Sequence, residues 1–127
     1  MKMCTVLIAE DEDEWSDMVS ILLPSDRYKV ISARTAKEAL NMVGKTHPDF
    51  AILDLNLPDM FGMDLCRLLH GMPGLKGLPV VALTSLDQAR TDGFDGEIDG
   101  FVAKRHAANQ LLPTVELIRR RSLPAAA

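Results

Sequence analysis

Acidic, hydroxyl and amine side chains follow short apolar runs at four places in this chain. The apolar runs are residues 5–9, 50–53, 79–83 and 100–103, and the polar residues after them are Glu10 with Asp11, Asp54, Thr84, and Lys104. A buried carboxylate is costly unless another group pairs with it. Carboxylates that lie within a few ångströms of one another also raise one another's pKa values, and a bound cation would relieve that repulsion. Oxygen ligands without a nearby histidine or thiol favour a hard ion, and we expect Mg²⁺.

The same set of residues is suited to holding a phosphoryl group. A lysine and a hydroxyl beside a divalent ion would bind it by charge and hydrogen bonds, and electrostatic stabilisation is most of what phosphoryl transfer requires. An aspartate carboxylate can attack the phosphorus to give an acyl phosphate. We therefore predict that Asp54 is a nucleophile whose charge is balanced by a metal ion and by Lys104.

These residues need a fold that brings the ends of separate strands together. Apolar runs without strict alternation are typical of strands that are covered on both faces of a parallel sheet. They predict strands over 5–9, 28–32, 50–53, 79–83 and 100–103. Strands that alternate with helices indicate a doubly wound α/β fold, in which ligands bind at the carboxyl ends of the strands. The polar residues should therefore meet at one edge of the sheet.

Four segments between or after the strands carry apolar residues at helical spacing. Their apolar stripes are Trp15, Met18, Val19 and Leu22; Ala36, Ala39, Leu40 and Val43; Leu65, Leu68, Leu69 and Met72; and Leu111, Leu112, Val115 and Ile118. Segment 86–99 has poor apolar spacing and contains Gly93 and Gly96, which predicts a short or irregular fourth helix. Trp15 should lie near the acidic pair and report on metal binding by its fluorescence.

Local signals predict where several helices begin and end. Thr35 can cap the second helix together with Glu38 three residues later, and Gly44 would follow that helix. Asn109 would cap the last helix, which would place Pro113 near the end of the first turn, where a missing N–H is tolerated.

Length and composition predict a single globular domain. The chain has 127 residues, of which 47% are hydrophobic and 25% charged, and we assign 1–127 to one domain with a core of about 4–121 and a tail or linker start at 122–127. The formal net charge of −4 gives no sign of nucleic-acid or membrane-surface binding. Charge appears too early in the sequence for a secretory signal. We expect a cytoplasmic domain.

The remaining residues with metal-binding chemistry are predicted to be structural. Cys4 and Cys66 are too few for a disulfide scaffold and too far apart in sequence for a metal clip, so we expect reduced, buried thiols. His47, His70 and His106 are scattered, and we predict neither a metal ligand nor a phosphodonor among them.

Four sequence segments together resemble the receiver domain of two-component response regulators. VLIAEDE resembles the first strand of that family with its acidic pair, and DFAILDLNLPDMFGMDL resembles its phosphoacceptor segment. PVVALTS and DGFVAK resemble the hydroxyl and lysine segments, in the same order. The similarity covers roughly residues 4–121. It implies a flavodoxin-like (βα)5 fold with strand order 2-1-3-4-5.

The resemblance also implies a role for each matching position. Asp54 would be the phosphoacceptor, and Mg²⁺ would be bound by Asp11, by Glu10 through water, by Asp54 and by the carbonyl of Asn56. Thr84 and Lys104 would bind the phosphoryl group, and Thr84 and Phe101 would form the conformational switch. The phosphoryl lifetime would be tuned by Asn56, two residues after Asp54, and by Leu86, two residues after Thr84. The apolar Leu86 predicts slow hydrolysis.

The implied activity is signalling rather than catalysis of an external reaction. The domain would accept phosphate from a histidine kinase or a histidine phosphotransfer protein and would assist its own phosphorylation and dephosphorylation. It would then act on a downstream protein or output domain, without binding nucleic acid or membrane itself. The face made by the predicted fourth helix, fifth strand and fifth helix would change, and could support a homodimer.

Two departures from the family pattern leave a second function open. Phe61 stands where an aspartate is common before the glycine, and Arg105 stands where a proline with a cis bond is usual after the lysine. A cis bond before a residue other than proline is costly, so we expect a trans bond there. These departures motivate a pseudo-receiver, which would have the same fold but act as a phosphorylation-independent interaction module. A flavodoxin-like redox protein is disfavoured because EDEDE would repel a flavin phosphate.

Overall fold

The chain folds into five parallel strands flanked by helices, as the sequence predicts. The computed structural model describes residues 3–85 and 97–122. The elements are β1 Cys4–Ala9, α1 Asp13–Leu22, β2 Tyr28–Ala33, α2 Ala36–Thr46, β3 Phe50–Asp54, α3 Gly62–His70, β4 Val80–Thr84, β5 Gly100–Ala103, a 3-10 turn at Lys104–His106, and α4 Ala107–Ser122. Residues 86–96 of the predicted fourth helix lie outside the described ranges, so the final helix is numbered α4. Across the described ranges, no helix is long and apolar enough to cross a membrane.

Strand order and helix placement confirm the predicted doubly wound fold. The sheet has the order β2-β1-β3-β4-β5, and every neighbouring pair is parallel. One core layer joins the sheet to α1 and α4, around Val19, Leu111 and Val115. The other joins it to α2 and α3, around Val43 and Leu65. All five residues of β3 and of β4 are buried, because these strands are covered on both faces.

The register of the sheet aligns the strand ends that carry the polar residues. Ala9 pairs with Leu53, Asp54 pairs with Leu83, and Thr84 pairs with Ala103. The residues that end or follow β1, β3, β4 and β5 therefore lie at one edge of the sheet.

The loop from β3 to α3 is held close to the end of β3. The backbone N–H of Gly62 donates to the carbonyl of Leu55 at 2.8 Å. A Cβ at Gly62 would overlap the carbonyl oxygen of Asp54 and would lie 2.8 Å from the Cα of Leu55. Asp59 in the same loop accepts hydrogen bonds from the N–H groups of Ala36 and Lys37, so the loop also caps α2.

The predicted N-cap of α2 is confirmed, and its predicted end is wrong. The Thr35 hydroxyl accepts a hydrogen bond from the Glu38 N–H at 3.0 Å. Helix α2 continues past Gly44 to Thr46, and His47 follows in the left-handed conformation with φ 47°. A glycine inside a helix costs only about 1 kcal/mol, so the neighbouring residues carry the helix through it.

The predicted start of the last helix is also wrong. Helix α4 begins at Ala107, so Asn109 lies inside its first turn and Pro113 lies in the helix interior. Pro113 has no N–H to donate to the carbonyl of Asn109. Both residues are exposed, so water can bind the unpaired carbonyl and the helix tolerates the proline.

The apolar face of α3 differs from the predicted stripe at two positions, one of which, Met72, lies beyond the end of the helix at His70. Leu65 and Leu69 are buried as expected, but Leu68 is 47% exposed. Met63 and Cys66 are buried in its place. The buried face therefore includes Cys66, whose thiol was predicted to be buried.

Alanine substitutions at two glycines should test the tight approach between the β3–α3 loop and β3. Gly62→Ala should lower the free energy of unfolding by about 2 kcal/mol or more, because the backbone at Asp54 and Leu55 must move. Gly44→Ala, where a Cβ meets nothing within 4 Å, should raise it by about 0.5–1 kcal/mol. Urea unfolding of both variants measures the difference. Equal effects of the two substitutions would contradict this account of Gly62.

Candidate functional site

Three carboxylates surround the Lys104 amine at the carboxyl edge of the sheet. The Lys104 Nζ lies 2.9 Å from Glu10 Oε2, 3.6 Å from Asp54 Oδ2 and 3.8 Å from Glu12 Oε1. Glu10 and Asp54 are buried and Glu12 is exposed. The structure thus brings the predicted Glu10, Asp54 and Lys104 together from β1, β3 and β5.

Backbone N–H groups orient one oxygen of each buried carboxylate. The Glu12 N–H donates to Glu10 Oε1 at 3.1 Å, and the Asn56 N–H donates to Asp54 Oδ1 at 3.1 Å. The second oxygen of each carboxylate faces Lys104. Asp54 Oδ2 is therefore the oxygen that the backbone does not hold and that faces the amine.

Burial and charge shift the pKa values of all three central groups. Burial raises the pKa of Glu10 to about 7, against the opposing effect of its ion pair with Lys104. Burial also raises the pKa of Asp54, although the Asn56 N–H and the charge of Lys104 oppose the shift. Burial lowers the pKa of Lys104, but its ion pairs with Glu10 and Asp54 outweigh that effect and raise it. The negative charge of the site exceeds what one lysine balances.

The donor set fits a hard divalent cation. Ligand oxygens of Glu10, Asp11 and Glu12 lie within 4.8 Å of one another. Within the described residues, no donor is aligned for a hydrogen bond to the buried Glu10 Oε2, despite the nearby Lys104 amine. Clustered carboxylate oxygens are the ligands that Mg²⁺ prefers. The sequence predicted metal contacts for Glu10 and Asp11 of EDEDE but not the position of Glu12 beside Lys104.

An aromatic ring completes the surroundings of the lysine. The Lys104 Nζ lies 5.2 Å from the centre of the Trp15 ring, a distance at which the ring face attracts a cation. Trp15 is half-buried and packs against the core layer that includes α1 and α4. It lies close enough to the site for its fluorescence to respond when Lys104 changes partners.

The other predicted positions lie around this centre or outside the described residues. Thr84 is buried at the end of β4, next to Leu83, the partner of Asp54. Asn56 is exposed and follows β3 closely, and Phe101 is half-buried on β5. Leu86 lies outside the described ranges.

The two positions that depart from the family pattern border the site. Phe61 precedes α3 and is 40% exposed. Arg105 is exposed in the 3-10 turn that begins at Lys104. The described residues contain no cis peptide bond, so the bond between Lys104 and Arg105 is trans, as expected.

Comparisons with known proteins identify the family to which this fold belongs. The family model for the response regulator receiver domain matches residues 6–116, and the chain therefore belongs to the response regulator receiver domain family. It is 30% identical over 121 residues to the response regulator MprA of Mycobacterium tuberculosis, a match that covers 94% of this chain and 52% of MprA. The chain thus spans about half the length of the curated relatives it matches.

Solved structures agree with this assignment. A putative response regulator from Chloroflexus aurantiacus superposes with a TM-score of 0.86 at 32% identity, covering 94% of this chain and 100% of that one. The response regulator TrrA of Thermotoga maritima, solved in complex with Mg²⁺-BeF, superposes with a TM-score of 0.80 at 22% identity. The match covers 91% of this chain and 99% of TrrA. The second match shows similarity of fold. The chain is a signalling domain of the two-component class.

Removing one carboxylate charge from the cluster of Glu10, Asp11 and Glu12 should stabilise the metal-free protein and weaken its binding of Mg²⁺. Asp11→Asn should raise the free energy of unfolding in EDTA by about 1 kcal/mol, since it lessens repulsion among carboxylates and leaves the ion pairs of Lys104 with Glu10 and Asp54 in place. It should also weaken Mg²⁺ binding at least about tenfold, because a hard ligand is lost. Urea unfolding and Mg²⁺ titration of Trp15 fluorescence measure the two effects.

Asp17→Asn is the matched control for that experiment. Asp17 is exposed on α1, and its substitution should change stability by less than about 0.5 kcal/mol. If Asp11→Asn destabilises the protein in EDTA, or leaves the Mg²⁺ affinity unchanged, the account of excess negative charge is wrong.

Proposed function

We propose that this domain accepts a phosphoryl group on Asp54 from a histidine kinase or a histidine phosphotransfer protein. The observation that carries the proposal is the buried Lys104 amine between Glu10 and Asp54, at the edge of the sheet where ligands of such folds bind. A structural ion pair would need one carboxylate. An excess of carboxylates around one amine supports a site that is completed by a cation and an anionic phosphoryl group.

The residues divide the transfer step between them. Asp54 Oδ2 attacks the phosphorus of a phosphohistidine, an O–P bond forms, the P–N bond breaks, and the electron pair returns to the imidazole of the donor. The Asn56 N–H holds Oδ1 and thereby keeps Oδ2 directed to the incoming group. The Lys104 amine lies 3.6 Å from Oδ2 and pairs with a phosphoryl oxygen as charge moves onto Asp54. The Thr84 hydroxyl donates to another phosphoryl oxygen.

Mg²⁺ would be held by Asp11, by Asp54 and by the carbonyl of Asn56. Glu10 would bind it through a water molecule. The bound ion would neutralise the carboxylates and the phosphoryl oxygens and so reduce their mutual repulsion. The Mg²⁺-BeF complex of TrrA supports this ion for a protein of the same fold. Glu12, which reaches Lys104 at 3.8 Å, adds to the negative charge that attracts the cation.

Phosphorylation would be transmitted by Thr84 and Phe101. The hydroxyl of Thr84 would move toward the phosphoryl group, and the half-buried Phe101 ring would turn into the space it leaves. That movement alters the face formed by the predicted fourth helix, β5 and α4. The recipient is a downstream protein, an output domain or a second copy of this chain, and the domain itself contacts neither nucleic acid nor membrane. We place this activity in the cytoplasm.

A pseudo-receiver is the second candidate, and Phe61 is the observation that favours it. An aromatic side chain that is 40% exposed beside the phosphoacceptor loop is suited to protein contact. In that case, Lys104 and the carboxylates would serve only to hold the strand ends together.

Phosphorylation by a small donor separates the two candidates. The protein treated with acetyl phosphate or phosphoramidate should gain one phosphoryl group in intact mass when Mg²⁺ is present and none when EDTA is present. Asp54→Ala should gain none, and Lys104→Met should react at least about a hundredfold more slowly, since the charge on the phosphoryl group is no longer balanced.

Glu14→Ala, which removes an exposed carboxylate of the first helix turn, is the control and should react as the wild type does. The absence of an adduct with any donor, in protein that still binds Mg²⁺, would favour the pseudo-receiver. An adduct that persists in Asp54→Ala would place the phosphoacceptor elsewhere.

The phosphoryl group should be long-lived in the purified protein. Leu86 is apolar and cannot orient a water molecule for attack on the acyl phosphate, so we expect a half-life of minutes or longer. Leu86→Gln should shorten it severalfold, and Asn56→Ala tests the other tuning position. Loss of the adduct from the wild type within seconds would refute this proposal.

A further inference from the structure

A second cluster of metal-binding side chains lies away from Asp54. It consists of Cys66 and His70, one turn apart on α3, and Glu97, which lies shortly before β5. Their ligand atoms all lie within 4.8 Å of one another. His70 ends α3, and Leu78, which contacts it, precedes β4. The cluster is therefore at the amino-terminal edge of the sheet. It lies opposite the acidic cluster of Glu10, Asp11, Glu12 and Asp54 at the carboxyl edge.

The contacts within this cluster are within about 1 Å of the geometry of a transition-metal site. Cys66 Sγ lies 3.9 Å from His70 Nδ1, and His70 Nδ1 lies 2.7 Å from Glu97 Oε2. Ligand atoms around a tetrahedral Zn²⁺ lie roughly 3.4–3.6 Å apart, given the usual bond lengths. To reach that geometry, Nδ1 and Oε2 would move apart by less than about 1 Å, and the sulfur would move slightly closer to Nδ1.

The outer nitrogen of His70 is held as it is in histidines that bind metals. Nε2 lies 2.8 Å from the carbonyl oxygen of Leu78. A metal-binding histidine usually donates its other N–H to a carbonyl or carboxylate, which fixes the ring and its tautomer. With Nε2–H donating to Leu78, Nδ1 faces the thiol and the carboxylate.

Charge and access also suit a cation. A thiolate and a carboxylate would balance the two charges of the ion, and His70 lies at the carboxyl end of α3, where the helix dipole favours positive charge. The Cys66 side chain is fully buried, whereas the His70 and Glu97 side chains are 15% and 35% exposed. An ion can therefore enter from the His70 and Glu97 side and leave its fourth position to water.

We propose that Cys66, His70 and Glu97 form a binding site for Zn²⁺ or a similar borderline-soft divalent ion. The site is independent of phosphorylation, and bound metal would join the end of α3 to the residues that lead into β5. This assigns a function to a cysteine and a histidine whose sequence context predicted structural roles.

Metal binding at this site would require the loss of protons from the ligands. Burial raises the pKa of the Cys66 thiol to about 12, and the thiol donates to the carbonyl of Glu97 at 3.1 Å. Burial lowers the pKa of His70, but its hydrogen bonds to Glu97 and Leu78 outweigh that effect and raise it. An incoming metal ion displaces the thiol proton and the Nδ1 proton, both of which pass to solvent, and three ligand–metal bonds replace the hydrogen bonds among these groups.

Co²⁺ is a direct probe because a bound thiolate gives it a charge-transfer absorption band. We would titrate the full 127-residue chain with Co²⁺ in excess Mg²⁺, which occupies the acidic cluster. We expect one equivalent to bind with the thiolate band and with the visible bands of a tetrahedral ion. Zn²⁺ should displace it and raise the melting temperature.

The variants assign the ligands. Glu97→Gln retains the size of the side chain at a partly exposed position and should weaken binding at least about tenfold. Cys66→Ala should abolish the thiolate band, and its circular dichroism spectrum should remain that of the folded wild type. Cys4→Ala, at the other buried cysteine, and Asp17→Asn, at an exposed position on α1, should bind as the wild type does.

Three results would overturn the proposal. They are the absence of a thiolate band at saturating Co²⁺, a band that survives in Cys66→Ala, and binding to Glu97→Gln as tight as to the wild type. In each case, His70 and Glu97 would form only an ion pair beside a buried thiol. Phosphorylation of Asp54 should be unchanged in Glu97→Gln, so failure here is distinct from failure of the proposed function.

Discussion

The central constraint of this structure is the balance of one buried amine against several carboxylates at the carboxyl edge of the sheet. Lys104 pairs with both Glu10 and Asp54, and each comes from a different strand. Parallel strand order and register bring these groups together, since neither carboxylate could be buried there alone. The balance is incomplete, because burial and the charge of Asp54 leave Glu10 with a raised pKa despite its ion pair with Lys104. In the proposed function, a cation and a phosphoryl group complete that balance.

Helix α3 links the two proposed sites. Its first residue, Gly62, packs directly against the backbone of Asp54, and its last residue, His70, lies between Glu97 and Leu78. The helix has nine residues and is therefore roughly 13 Å long. The hard oxygen ligands lie at one end of it and the sulfur and nitrogen ligands at the other. The two ends thus favour different classes of metal ion.

Much of the fold could be predicted because its signals are local. Unbroken apolar runs identify buried parallel strands wherever they occur, and Thr35 caps α2 with only its neighbours as partners. The errors arise where tertiary contacts outweigh local preference. Helix α2 continues through Gly44, and α4 retains Pro113 in its interior, because packing against the sheet stabilises both helices beyond what propensity alone would allow. The helical spacing of Leu68 predicted burial, but the residue is exposed. Sequence spacing does not show how wide the covered face of α3 is.

The sequence by itself determined the strand and helix pattern, the residue types at the strand ends, and the family to which the chain belongs. Those properties depend on residue type and on spacing along the chain. Only the tertiary structure placed Glu12 beside Lys104, and only it brought Glu97 to Cys66 and His70. Glu97 is separated from His70 by 27 positions, and no role was predicted for Glu12. Contacts of this kind depend on where the folded sheet brings distant segments together, and no local pattern encodes them.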